Sequence, residues 1–201
     1  MYTIRINNTT ARTIPKEGEM LARALLFAAL TGIGALLRIP TSPVPVTMQV
    51  FFVLLSGLVL GPYWGALSQV FYLGMGLCGA PFFAAAPYAG PAVLFGPTGG
   101  YLWGFVLAAG VSGWIGQSLT TRPCRRAVFK GGVYMLACLA GIAAVYICGT
   151  TWLGVWLSMN GASASMAYTL GVKPFILADL LKAGAAGLLA GTIPRKWSLT
   201  V

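Results

Sequence analysis

Two charged residues, Asp179 and Lys182, sit inside an otherwise apolar run near the C-terminal end of this 201-residue chain. On a helix, residues three apart share a face and are about 4.5 Å apart along the axis. A charge held at mid-membrane costs about 2.5–3.5 kcal/mol on insertion scales, so such a pair must face a bundle interior or a water-filled pocket. Two readings follow: an ion pair that fixes one helix, or a polar anchor for a ligand. Position favours the anchor, because Asp179 lies about five residues into its run, at the end nearer an uncharged loop spanning 79–98. That loop carries Phe82 and Tyr88 among several Gly and Pro residues. Irregular backbone is tolerated at membrane depth only where it is buried or lines a cavity, so these aromatics either close over an apolar ligand or pack as a plain surface connection. Gln49, near the same side of the second apolar run, offers a bidentate amide contact or an interhelical hydrogen bond.

Other chemistries are poorly served. The chain has no His and four Cys, with no C-x-x-C spacing, which leaves no metal-site pattern and removes the usual general base. GPTGGY at 96–101 lacks the Lys and the preceding strand of a phosphate-binding P-loop. The chain therefore shows no nucleotide site of its own, and active transport would draw energy from another subunit or an ion gradient. Ala24, Ala28 and Gly32 form a small-residue stripe spaced by four, which lets another helix approach closely. That neighbour belongs either to this chain or to a partner.

The elements that must position these residues are membrane helices. The chain is 58% apolar and 8% charged, with a mean hydropathy of +0.82, against about 25% charged residues in ordinary soluble domains. Apolar runs cover about 20–37, 46–60, 63–78, 99–119, 131–151 and 174–193. They predict an all-α integral membrane protein, a six-transmembrane-helix bundle with a long outer loop between helices three and four. Gly61-Pro62 breaks the second run from the third, and 152–172 is expected to be a loop with a short surface helix. Residues 1–19 form a polar N-terminal segment, 20–193 the membrane domain and 194–201 a tail. The first run lacks a cleavage pattern after it and is expected to be retained.

The net charge of +10 is clustered rather than spread as a nucleic-acid face would be. With the N-terminus inside, Arg5, Arg12, Lys16, Arg23, Arg122, Arg125, Arg126, Lys130, Arg195 and Lys196 all fall on the cytoplasmic side, and only Arg38 and Lys173 fall outside. Such a bias sets orientation in membranes and places both termini in the cytoplasm.

The runs PVPVTMQ (43–49), GLVLGPYWGALSQVFYLGMGLCGAPFF (57–83), LFGPTGGYLWGF (94–105) and GVKPFILADLLK (171–182) resemble BioY. BioY is the biotin-specific substrate-binding S-component of energy-coupling-factor (ECF) transporters. The resemblance implies a six-helix bundle in the bacterial cytoplasmic membrane that captures biotin near its outer face, with no cofactor of its own. It also implies partners, a transmembrane coupling subunit and two cytoplasmic ATPases, with Ala24 and Ala28 facing the coupling subunit. Asp179 and Lys182 match the polar anchors of the biotin site. In this chain the stretch after PFF reads AAAPYAGP, where family members are glycine-rich and sometimes polar. The alternative class is a small membrane enzyme acting on a lipid or isoprenoid. Such a site normally gathers several acidic or His residues, and a single buried Asp argues against it.

Overall fold

The computed structural model describes residues 17–120 and 127–193, with side chains over 17–119 and 131–193. Most of the basic residues that set the expected orientation, and Cys124, lie outside the described side chains. Among the described residues the regular structure is helical apart from one two-stranded ribbon. In chain order the elements are α1 (Glu17–Leu36), β1 (Arg38–Ile39), β2 (Val46–Thr47), α2 (Gln49–Leu77), α3 (Ala92–Phe95), α4 (Gly99–Thr120), α5 (Ala127–Met159), α6 (Met166–Gly171) and α7 (Ile176–Thr192).

Four helical segments, Glu17–Leu36, Gln49–Leu77, Gly99–Leu119 and Gly131–Met159, are long and apolar enough to cross a membrane. Their outer faces carry large apolar side chains such as Leu26, Val70, Trp114 and Ile147. In water this surface would be unfavourable; in lipid it is the expected exterior.

The segment α2 is two helices joined at a kink. Gly61 adopts φ 81° and ψ 179° immediately before Pro62. Positive φ favours glycine, while Pro62 lacks an N–H and disfavours helical backbone in the residue before it. The two legs, 49–60 and 62–77, fold back on each other. Gln49 Nε2 donates to Tyr72 Oη at 2.6 Å, and Gln69 Nε2 donates to Ser56 Oγ at 3.1 Å. On a straight helix residues 49 and 72 would be about 34 Å apart. Close to the turn the legs touch so tightly that a Cβ on Gly65 would lie 2.8 Å from Gly57 Cα.

Packing around this hairpin orders the rest. The helix α4 lies against α2 and α5, α1 lies against α2, and α7 is wedged between α5 and α2. A Cβ on Gly57 would meet Ala109 O and Ser112 Oγ at 2.3 Å, so its absence lets α4 seat on the hairpin.

Three boundaries differ from the sequence reading. The first helix begins at Glu17 rather than Met20. The fifth extends to Met159, because 152–159 contains no Pro and buries Leu153 and Leu157; Gly161 at φ 77° follows its end. The 79–98 connection contains the single helical turn α3.

The small-residue stripe of α1 is buried within this chain. Ala24 and Ala28 are both 0% exposed, covered by this chain's own helices, and Phe82 packs on Gly32. The solvent- or lipid-facing side of α1 carries Leu21, Leu25, Leu26 and Ile33 instead.

Candidate functional site

The ribbon β1–β2, the loop 79–91 and the facing ends of α2, α4, α5 and α7 enclose a cavity of about 560 Å³, counted to its open mouth. Its wall is mostly apolar, with Val44, Pro45, Val93, Leu102, Phe105 and Phe175 contributing, and a few polar groups converge on it.

The most distinctive of these is the pair on α7. Asp179 falls in the helix's first turn, where the macrodipole favours a negative charge. It is 3% exposed and Lys182 is 8% exposed. Lys182 Nζ donates to Asp179 Oδ1 at 2.7 Å, and Tyr146 Oη, from α5, donates to Asp179 Oδ2 at 2.8 Å. An ionised carboxylate has about four acceptor positions, so both oxygens keep capacity for a ligand's N–H groups. Lys182 likewise has three donors and spends one here. The arrangement holds a carboxylate and an ammonium in fixed orientation inside an apolar wall.

A second polar group stands on the hairpin. Gln49, 3% exposed, is oriented by Tyr72, whose hydroxyl donates onward to Phe82 O at 3.2 Å. Thr47 Oγ1 approaches Gln49 Oε1 at 3.2 Å and caps the Gln49 N–H at 3.3 Å. The network fixes which face of the amide meets the cavity. Thr98, at the start of α4, lines the cavity with its hydroxyl buried and without a hydrogen-bond partner. Buried polar groups are normally satisfied, and this hydroxyl is an exception among the described residues.

Asp179, Lys182 and Gln49, singled out in the sequence, thus line one cavity. Phe82 and Tyr88 are not among its lining residues. Phe82 packs on α1 and supplies a backbone acceptor to Tyr72. Tyr88 is 42% exposed at φ 69°, with the Arg38 guanidinium 4.4 Å from its ring centroid. The loop is anchored by Phe83, fully buried on Gly76 and edge-on to Tyr72, so that Ala84 and Ala85 form the wall. Tyr146, Thr98 and Tyr101 escaped the sequence reading. Tyr146 sits in an apolar run with no local pattern to mark it, and Tyr101 Oη is committed to Gly171 O at 2.8 Å. Thr47 had a signal, since it lies two residues before Gln49 in the PVPVTMQ run.

Fold and site together define a helical membrane protein with a mostly apolar cavity lined by a buried ion pair. The chain belongs to the BioY family, whose family model matches residues 7–198. It is 39% identical over 175 residues to the probable biotin transporter BioY of Pyrococcus horikoshii, covering 87% of this chain and 94% of that one. It is 38% identical over 172 residues to the biotin transporter BioY of Thermotoga maritima, covering 86% and 94% respectively. The fold matches a crystal structure of the S-component for biotin from an ECF-type ABC transporter, with a TM-score of 0.74 and 22% identity, over 89% of this chain and 93% of that chain.

Proposed function

We propose that this protein captures biotin in the cavity bounded by α2, α4, α5 and α7, and that it is the substrate-binding component of an ECF-type biotin transporter. The observation that carries the reading is the oriented Asp179–Lys182–Tyr146 cluster in an apolar wall. Biotin presents ureido N–H donors and a ureido carbonyl on a compact fused ring, with an apolar chain ending in a carboxylate. The N–H groups suit the free acceptor positions of Asp179, and the carbonyl suits Lys182 or the Gln49 amide. The apolar wall takes the ring and chain. Family membership and relatives named as biotin transporters support the same ligand.

In this reading the protein crosses the membrane six times, because the two legs of α2 count separately and α7 adds a further crossing. Both termini are cytoplasmic, the cavity opens outward, and the membrane is the cytoplasmic one. Phe82 and Tyr88 act by shaping the loop rather than by touching biotin. A coupling subunit and two ATPases supply the energy, and a partner helix approaching α1 meets its Leu21–Leu25–Ile33 side rather than Ala24 and Ala28. The protein is a binding component and not an enzyme: Asp179 is the single carboxylate lining the cavity.

Equilibrium dialysis of radiolabelled biotin against purified protein in detergent tests the reading. Saturable binding of one biotin per chain is expected, and absence of saturable binding would reject it.

A further inference from the structure

The cavity's charged pair answers one end of a biotin-like ligand, and the other end needs a counter-charge. Lys182 donates to Asp179 and, in the reading above, turns its remaining donors to the ureido end. Another cation, Arg38 on β1, lies outside the cavity lining and is joined to it by one hydrogen bond. Its Nη1 donates to the carbonyl of Ala84 at 2.8 Å, and Ala84 lines the cavity. Its guanidinium is also 4.4 Å from the Tyr88 ring centroid. The side chain is therefore drawn over the 84–88 loop, between the ribbon that supplies Val44 and Pro45 and the loop that supplies Ala84 and Ala85.

Arg38 has no carboxylate of its own. The chain contains three acidic residues, Glu17, Glu19 and Asp179. Glu19 is paired with Arg23 and Asp179 with Lys182. Glu17 begins α1, whose 20 residues end just before Arg38, so a helix of about 30 Å separates the two. A guanidinium carries five donors in a planar fork suited to bidentate carboxylate binding. Arg38 is half-buried, spends one donor on Ala84, and holds its guanidinium 4.4 Å from the Tyr88 ring centroid.

We infer that Arg38 receives the anionic tail of the ligand at the cavity mouth, so that the site binds its ligand at both ends: the α7 pair at the ring and Arg38 at the carboxylate. This rests on the biotin reading above. It assigns Arg38 a role in specificity, since a ligand of the same shape without the negative charge would lose this contact. It also explains why the loop wall can consist of alanines: Ala84 and Ala85 provide shape and a backbone carbonyl, and the charge comes from the neighbouring strand.

The test compares biotin with uncharged biotinamide on wild-type protein and on Arg38→Gln and Arg38→Lys, with thermal stability measured for each. Wild type should prefer biotin over the amide by about ten- to a hundred-fold, the range for hydrogen bonds to a charged group. Arg38→Gln should lose most of that preference, binding biotin more weakly and the amide about as well as wild type does. Arg38→Lys should retain part of the preference, because a point charge replaces the fork. Equal weakening of both ligands by Arg38→Gln would show that Arg38 only holds the loop and would overturn the inference. So would unchanged affinities, and so would a wild-type protein that binds both ligands alike, which needs no variant. Failure of wild type to bind biotin at all would instead reject the functional reading beneath it.

Discussion

Replacing Asp179 by alanine separates a ligand anchor from a structural ion pair. The change removes the acceptor for Lys182 Nζ at 2.7 Å and for Tyr146 Oη at 2.8 Å. It leaves an ammonium 8% exposed beside an apolar wall. Truncating one member of a buried, hydrogen-bonded charge pair costs about 2–5 kcal/mol in binding when the pair contributes to an interface. At 1.4 kcal/mol per tenfold, this corresponds to about 30- to 4,000-fold in affinity. Biotin affinity, measured by equilibrium dialysis alongside thermal unfolding in detergent, should fall within that range while the protein stays folded. The helix itself should survive, since Asp179 lies in the first turn of α7 and Ala is the best helix former. A structural pair predicts otherwise. Both single variants would then unfold, and Asp179→Leu/Lys182→Leu would recover stability together with biotin binding, as buried pairs replaced by apolar residues often do. Near-native affinity in a folded Asp179→Ala protein would refute the reasoning.

Three further outcomes follow from the packing. Tyr72→Phe removes the acceptor for Gln49 Nε2 and the donor to Phe82 O; buried groups left unpaired cost about 1–3 kcal/mol, so biotin affinity and thermal stability should both fall, and an unchanged affinity would remove Gln49 from the site. Gly65→Ala places a Cβ 2.8 Å from Gly57 Cα; it should cost about 1–3 kcal/mol of stability by overpacking, and a fully stable variant would contradict the folded-back α2. Ala28→Trp should lower folded yield and biotin binding together, because Ala28 is buried in this chain; survival of binding with loss of a partner subunit would instead restore Ala28 to the docking face.

Much of the architecture was legible because a membrane reduces the options. Apolar runs and the Gly61-Pro62 break located the helices and the reversal of α2, since only Gly takes that φ readily and Pro cannot continue the hydrogen-bond ladder. Asp179 and Lys182 were legible for a related reason: a charge in an apolar run demands an explanation. Three features were not legible. Ala24 and Ala28 announce close packing, but small residues look alike whether they face this chain or another. Tyr146 meets Asp179 only because α5 and α7 pack side by side, a relation between residues 33 apart in sequence. The loop aromatics drew attention by type, yet the chain buries Phe83, turns Phe82 towards α1, and leaves Tyr88 under Arg38.

The most direct test of the central claim is an experimental structure of the protein with biotin bound. The ureido ring is expected within hydrogen-bond distance of Asp179, between Gln49 and Tyr146, with the carboxylate directed towards Arg38. Biotin found outside this cavity, or within it but with its ureido group remote from Asp179, would contradict the account.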